Sequence, residues 1–243
     1  MKKQTFVIGD IHGAYRALNQ VLERANLNKQ DRLIFLGDYV DGWSESYEVV
    51  ALLMELDRTY DCIFIRGNHD ALFEEWLQTK KENKLWLKHG GLSTLDSYQK
   101  RSSSEIKKHE AFLNSLDNYY RKGSEQFFVH GGFSKLSGPQ NEYYDHVFYW
   151  DRTLWETALA ADKSLKPNNP LYPERFTHFK EIFIGHTPVL NIGATKPFKA
   201  LNVWNIDTGA GFKGRLSMME INTKKVVQSD PVHKLYPDEH GRM

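Results

Sequence analysis

The 243-residue sequence predicts an α/β fold in which two packed mixed β-sheets are flanked by helices. Three observations carry the prediction. A short apolar run, a tight polar turn and a helical pattern follow one another three times before residue 80. From about residue 125 the chain turns strand-rich instead. The polar turns fall where strands end, which is where open α/β sheets place their sites.

The first unit has a strand at 5–8, a turn at 9–13 and an amphipathic helix at 14–25, with Ala17, Leu18, Val21 and Leu22 at helical spacing. The second has a strand at 32–36, a turn at 37–41 and a helix at 46–56 carrying Val49, Val50, Leu52, Leu53 and Leu56. The third has a strand at 62–65, a turn at 67–70 and a helix at 71–77. Consecutive strand–turn–helix units build a mainly parallel sheet covered by helices. The stretch 80–120 reads as helical and charged, with Ser102-Ser103-Ser104 as a helix start, and serves as a packing layer or a recognition cap. Strands follow at 125–129, ending in His130-Gly131, and at 181–184, ending in Gly185-His186. Alternation at 200–206 and 215–221 predicts antiparallel strands, with one more at 226–229. The polar tail from about 231 is expected to trail over the surface. With no repeat and no linker, residues 1–243 read as a single domain.

Composition narrows the function. The chain is 40% hydrophobic, enough for a sizeable core. Its 32 Lys and Arg against 31 Asp and Glu give a net charge of +1, so nucleic acid is not an expected partner. Cys62 is the single cysteine, which excludes an intramolecular disulfide and a multi-cysteine zinc site; within its apolar strand it reads as a small hydrophobe. The apolar run at 6–8 is far shorter than the roughly 7–15 residues of a signal-peptide core. Nor does any stretch approach the roughly 20 apolar residues of a membrane span. A cytoplasmic protein is expected.

Five strand ends collect oxygen and imidazole donors: Asp10 and His12, Asp38 and Asp41, Asn68 with His69 and Asp70, His130, and His186. Singly, an Asp after a strand is a turn or cap, and a lone His is an ordinary core or surface residue. Their repetition at successive strand ends sets them apart. Mixed carboxylate, imidazole and amide donors suit manganese, iron, zinc or cobalt. A carboxylate at Asp38 could bridge two cations about 3.5–4 Å apart.

Gly9-Asp10-Ile11-His12-Gly13, Gly37-Asp38-Tyr39-Val40-Asp41, Gly67-Asn68-His69-Asp70, His130-Gly131 and Gly185-His186-Thr187 together resemble the calcineurin-like metallophosphoesterases. The similarity runs from about residue 5 to 220. It is strongest to the phosphoprotein phosphatase branch, with bacterial and phage serine/threonine phosphatases and symmetric dinucleoside tetraphosphatases. The resemblance implies a four-layer sandwich and two divalent ions, manganese first. Asp10 and His12 would ligate one metal, Asp38 would bridge, and Asn68, His130 and His186 would complete the second. A hydroxide shared by the ions would attack phosphorus in line, and His69, held by Asp41, would protonate the leaving group.

His-Gly-Gly occurs twice, and His130 is preferred as ligand because it ends an apolar strand. His89 follows a helical pattern, and Gly90 reads as that helix's stop. The family's motif continues after Asp41 with an arginine, whereas this sequence has Gly42-Trp43. Arg152, in Tyr149-Trp150-Asp151-Arg152, resembles an arginine that bacterial and phage relatives place over the phosphate, and Arg66 is expected to be structural. Trp43, Trp86 and Trp150 are candidates to stack a base. The leading expectation is a serine/threonine-type phosphatase acting on a phosphorylated protein or small phosphoester. The alternative is a dinucleoside polyphosphate hydrolase acting on a nucleotide. A degenerate binding module would have lost metal positions, and here every one is intact.

Overall fold

The computed structural model describes residues 3–242. Strands β1 (Thr5–Ile8), β2 (Arg32–Phe35) and β3 (Asp61–Phe64) pair in parallel, as strands joined by helical crossovers must. The crossovers carry α1 (Tyr15–Ala25) and α2 (Ser46–Thr59), and β3 leads into α3 (Asn68–Thr79). Next come the short α4 (Lys84–Trp86), a π turn (Leu87–Gly91), α5 (Leu92–Tyr98) and α6 (Ser103–Asn114). Ser102 caps α6 reciprocally with Glu105, at the predicted start signal.

In the second sheet, β4 (Tyr119–Lys122) pairs antiparallel with β5 (Gln126–Val129). After the short α7 (Val147–Trp150) and α8 (Thr153–Ala160), β6 (Glu181–Ile184) pairs in parallel with β5. The hairpin β7 (Phe198–Ala200) and β8 (Val203–Asn205) follows, with β8 parallel to β6. β9 (Ser217–Glu220) and β10 (Val226–Gln228) then return to the first sheet, β9 pairing antiparallel with β1. The sheet orders are β10-β9-β1-β2-β3 and β4-β5-β6-β8-β7. The chain ends in a segment containing α9 (Val232–Leu235).

The alternation of side chains along each strand sorts the core into layers. Val7, Ile34 and Ile65 meet Phe128, Phe183 and Ile206 between the sheets. Ile8, Leu33 and Phe35 face Ala17, Leu18, Val21 and Val49 of the helices outside the first sheet. Phe127, Val129, Ile182 and Val203 face Leu154, Trp155 and Ala158 outside the second. The order helix, sheet, sheet, helix is the predicted four-layer sandwich.

Three features depart from the sequence expectation, and one local expectation is met. The run 200–206 is a hairpin, because Leu201 adopts φ +49° and turns the chain. β4 lies at the end of the stretch expected to be helical. At His89-Gly90 the backbone leaves helical geometry as expected: Gly90, at φ +114°, stops the first helical run, and a second run follows at once into α5. The tail does not trail over the surface. Val232 and Tyr236 are buried, and the Tyr236 ring stacks on Trp43 at 5.1 Å.

Candidate active site

Six parallel strands point their carboxyl ends at one place, and each delivers a polar side chain there. Asp10 follows β1, Asp38 follows β2 and Asn68 follows β3; His130 follows β5, His186 follows β6 and Asp207 follows β8. The predicted Asp10, His12, Asp38, Asp41, Asn68, His69, His130 and His186 come together, and none is more than 5% exposed. Asp207, in the turn after β8 and not among the predicted site residues, joins them.

Local backbone aims these groups. His12, Asp38, Asp41 and His186 all adopt left-handed φ values between 53° and 70°. Such strain costs on the order of 1 kcal/mol per residue and clusters at functional sites. Asp70 clamps two turns together, its carboxylate accepting from the amides of Asp38 (2.8 Å), Tyr39 (2.8 Å) and Gly67 (2.9 Å). Gly67 and Gly185 are needed for close approach: a Cβ at either would lie 2.2 Å from Asp38 Oδ1 or 2.1 Å from Asp10 Oδ1.

The imidazoles are oriented by their outer nitrogens. His12 Nδ1 lies 3.2 Å from the Val40 carbonyl, and His130 Nδ1 lies 2.8 Å from that of Leu36. Donation from Nδ1 turns both Nε2 lone pairs inward, the arrangement that metal-ligating histidines use. Asp38 Oδ2 lies 3.5 Å from His12 Nε2 and 3.4 Å from His130 Nε2. Asn68 Oδ1 is 3.2 Å from His130 Nε2, and Asp10 Oδ2 is 3.9 Å from His12 Nε2. His12, Asp38 and His69 each offer a donor atom within 4.8 Å of the others, as do Asp38, His130 and His186. Asp38 belongs to both groups. His186 Nε2 is buried with no hydrogen-bond partner among the described residues.

Electrostatics point the same way. Burial, then the neighbouring Asp207, pushes the Asp10 carboxyl well above the usual range. Burial also lifts Asp207 to about 6 and, helped by Asp38, Asp70 to about 7. For Asp38, burial is outweighed by His130, His69 and His12, which hold the carboxyl low. His130 resists burial through Asp38 and Asp10 and rises to about 9. Burial, reinforced by His130 and Arg152, lowers His186. So many buried carboxylates with inward lone pairs are costly unless a cation joins them. The donor set therefore fits two divalent cations sharing Asp38.

Beside this cluster, His69 Nδ1 lies 2.6 Å from Asp41 Oδ2. Trp86 Nε1 donates to the same oxygen at 2.6 Å, and Thr94 Oγ1 donates to Asp41 Oδ1 at 2.6 Å. A cavity of about 420 Å³ opens here, its lining including Asn68, His69, His89, Trp150, Arg152 and Arg242. Arg152 and His89 both line it. Of the three candidate tryptophans, Trp43 and Trp86 are buried, and Trp150 is 42% exposed. Arg66 pairs with Glu74, and burial pushes the Cys62 thiol up to about 12.

Comparison with known proteins agrees with this geometry. A family model described as calcineurin-like phosphoesterase matches residues 4–210. Serine/threonine-protein phosphatase 1 of Salmonella typhimurium is 25% identical, over 90% of this chain and 92% of its own. The asymmetrical bis(5'-nucleosyl)-tetraphosphatase PrpE of Oceanobacillus iheyensis is 26% identical, over 91% of this chain and 90% of its own. A protein serine/threonine phosphatase from Saccharomyces cerevisiae shares the fold at TM-score 0.60 and 14% identity, covering 94% of this chain and 80% of that one. Among the described residues no helix is long and apolar enough to cross a membrane.

Proposed function

Because the chain belongs to the calcineurin-like phosphoesterase family and is a metal-dependent phosphoric ester hydrolase, we propose that it is a serine/threonine-type protein phosphatase. The observation that carries this reading is Asp38, placed between His12 and His130 beside the His69–Asp41 pair. In this reading Asp10, His12 and Asp38 hold one cation, and Asp38, Asn68, His130 and His186 hold the other, with manganese the expected ion. When bound, the cations supply activation of water at neutral pH and neutralisation of phosphoryl charge.

The side chains do the rest. Asp41 accepts the Nδ1 proton of His69, which fixes the ring and turns Nε2 toward the cavity. From there Nε2 gives a proton to the departing serine or threonine oxygen, whose high basicity makes an acid necessary. Arg152 in the cavity lining offers a guanidinium to the phosphoryl oxygens.

One observation favours a second reading. Leu72, Leu85 and Trp150 give the cavity an apolar side, and the exposed Trp150 suits a nucleobase. A substrate panel decides between them. Phosphoserine and phosphothreonine peptides are expected to show kcat/KM at least about tenfold above a dinucleoside tetraphosphate. The reverse order would establish the nucleotide reading.

A further inference from the structure

We propose that Arg242, laid across Gly42 by the segment 231–242, is a second phosphate-binding cation of this site. The inference rests on the phosphoester reading above and deepens it. Its starting point is the turn after β2, where Asp41 is followed by glycine and so carries no cation of its own.

Gly42 has φ +117°, and a Cβ there would lie 3.1 Å from Arg242 Cγ and 3.3 Å from the His12 carbonyl. The space beside the turn is taken by the arginine stem. The segment bearing it is docked at several independent points. Trp43 stacks on Tyr236, and Trp43 Nε1 donates to the Ala210 carbonyl at 2.8 Å. The Ser44 amide and hydroxyl donate to Glu239 at 3.0 and 2.7 Å. Tyr236 receives the Arg16 amide at 3.1 Å, with the Arg16 guanidinium 4.5 Å above its ring. Gly241, at φ +66°, turns the chain against Trp43 where a Cβ would lie 2.7 Å from the indole. The Arg242 amide then donates to the Gly211 carbonyl at 2.8 Å.

This anchoring delivers the guanidinium to the cluster. It lies 5.1 Å from the Phe212 ring centroid, with Nη1 3.1 Å from His12 Nε2. Arg242 Nε is buried without a hydrogen-bond partner, and among the described residues no carboxylate forms an ion pair with the group. The same cavity is lined by Asn68, His69 and Arg152. A half-buried guanidinium that faces such a cavity with no carboxylate in ion-pair contact, though within electrostatic reach of the buried Asp207, is matched to an anionic ligand, and its planar fork suits phosphoryl oxygens. A cation on His12 Nε2 would displace Nη1 from that atom, while the backbone anchor at Gly211 would keep the side chain beside the cavity for a bound phosphate. The sequence change at position 42 and the docking of the segment are one arrangement.

The test compares wild type, Arg242→Ala and Arg242→Lys after loading with manganese. The readouts are metal content, thermal midpoint, KM and kcat for nitrophenyl phosphate, and the affinity for inorganic phosphate by calorimetry. Loss of one charge-assisted contact predicts about a tenfold rise in both KM and phosphate Kd for the alanine variant. Metal content and midpoint are expected unchanged, and lysine should recover part of the loss. Unchanged KM and phosphate affinity would make Arg242 a structural anchor only. Tighter manganese binding with raised turnover would make it a plug on His12, and either result overturns the proposal. If wild type hydrolyses no phosphomonoester, the phosphatase reading fails separately, while phosphate affinity still decides the role of Arg242.

Discussion

Asp41 has no exposed surface and receives three side chains at 2.6 Å: His69, Trp86 and Thr94. A carboxylate so restrained cannot rotate away from His69, so under the proposed mechanism the indole of Trp86 would act on the reaction through Asp41. Trp86→Phe keeps the packing and removes one donor, a loss of about 1 kcal/mol. The expected result is a several-fold fall in kcat with metal content and KM unchanged; wild-type kcat would show that Asp41 needs no such brace. His69→Asn is expected to keep metal and lose far more turnover on phosphoserine than on nitrophenyl phosphate, whose leaving group needs no acid. Equal losses on both would remove His69 as the proton donor. The residues of the cluster were legible because each lies within three residues of a glycine at a strand end. The role of Trp86 as a donor to Asp41, and the residues Thr94 and Arg242, were not. Their contacts span 45, 53 and 230 residues of sequence, and no local pattern encodes a meeting at that separation.

At the scale of elements, the stretch after α3 shows how a charged helical pattern can serve a buried site. Its π turn brings the Gly90 carbonyl to the Gly42 amide at 3.2 Å, and α5 brings Thr94 under Asp41. The helical character was readable from residue spacing, but the kink depended on a left-handed glycine that reads equally as a stop. α6 packs the other side, with His109 stacked on Tyr47 at 4.5 Å and bonded to the Tyr98 hydroxyl at 2.8 Å. Burial, helped by Arg101 and opposed by Glu105, lowers His109 to about 4 from its ordinary 6.5. The unfolded chain therefore binds the extra proton first. This contribution to stability is complete above about pH 6.5 and is lost progressively as pH falls toward 4. Thermal midpoints measured from pH 7 to 4 should fall less steeply in His109→Gln than in wild type. Identical slopes would place the acid sensitivity elsewhere.

Across the whole molecule, the two sheets converge so that six parallel strands end on one cluster. That architecture was legible because repeated strand–turn–helix units leave few ways to bury their apolar faces. The return of β9 and β10 to the first sheet, and the docking of 231–242 over Gly42, were not legible, since both are pairings between distant parts of the chain. In the proposed reading Asp38 joins two divalent cations in a working hydrolytic site. The decisive measurement is metal analysis of wild type and Asp38→Asn, each assayed on nitrophenyl phosphate with and without manganese. About two ions per chain and manganese-dependent turnover are expected in wild type, with both lost in a folded Asp38→Asn. A wild-type protein that takes up no divalent ion when manganese is supplied, or an Asp38→Asn variant with wild-type turnover, would contradict it.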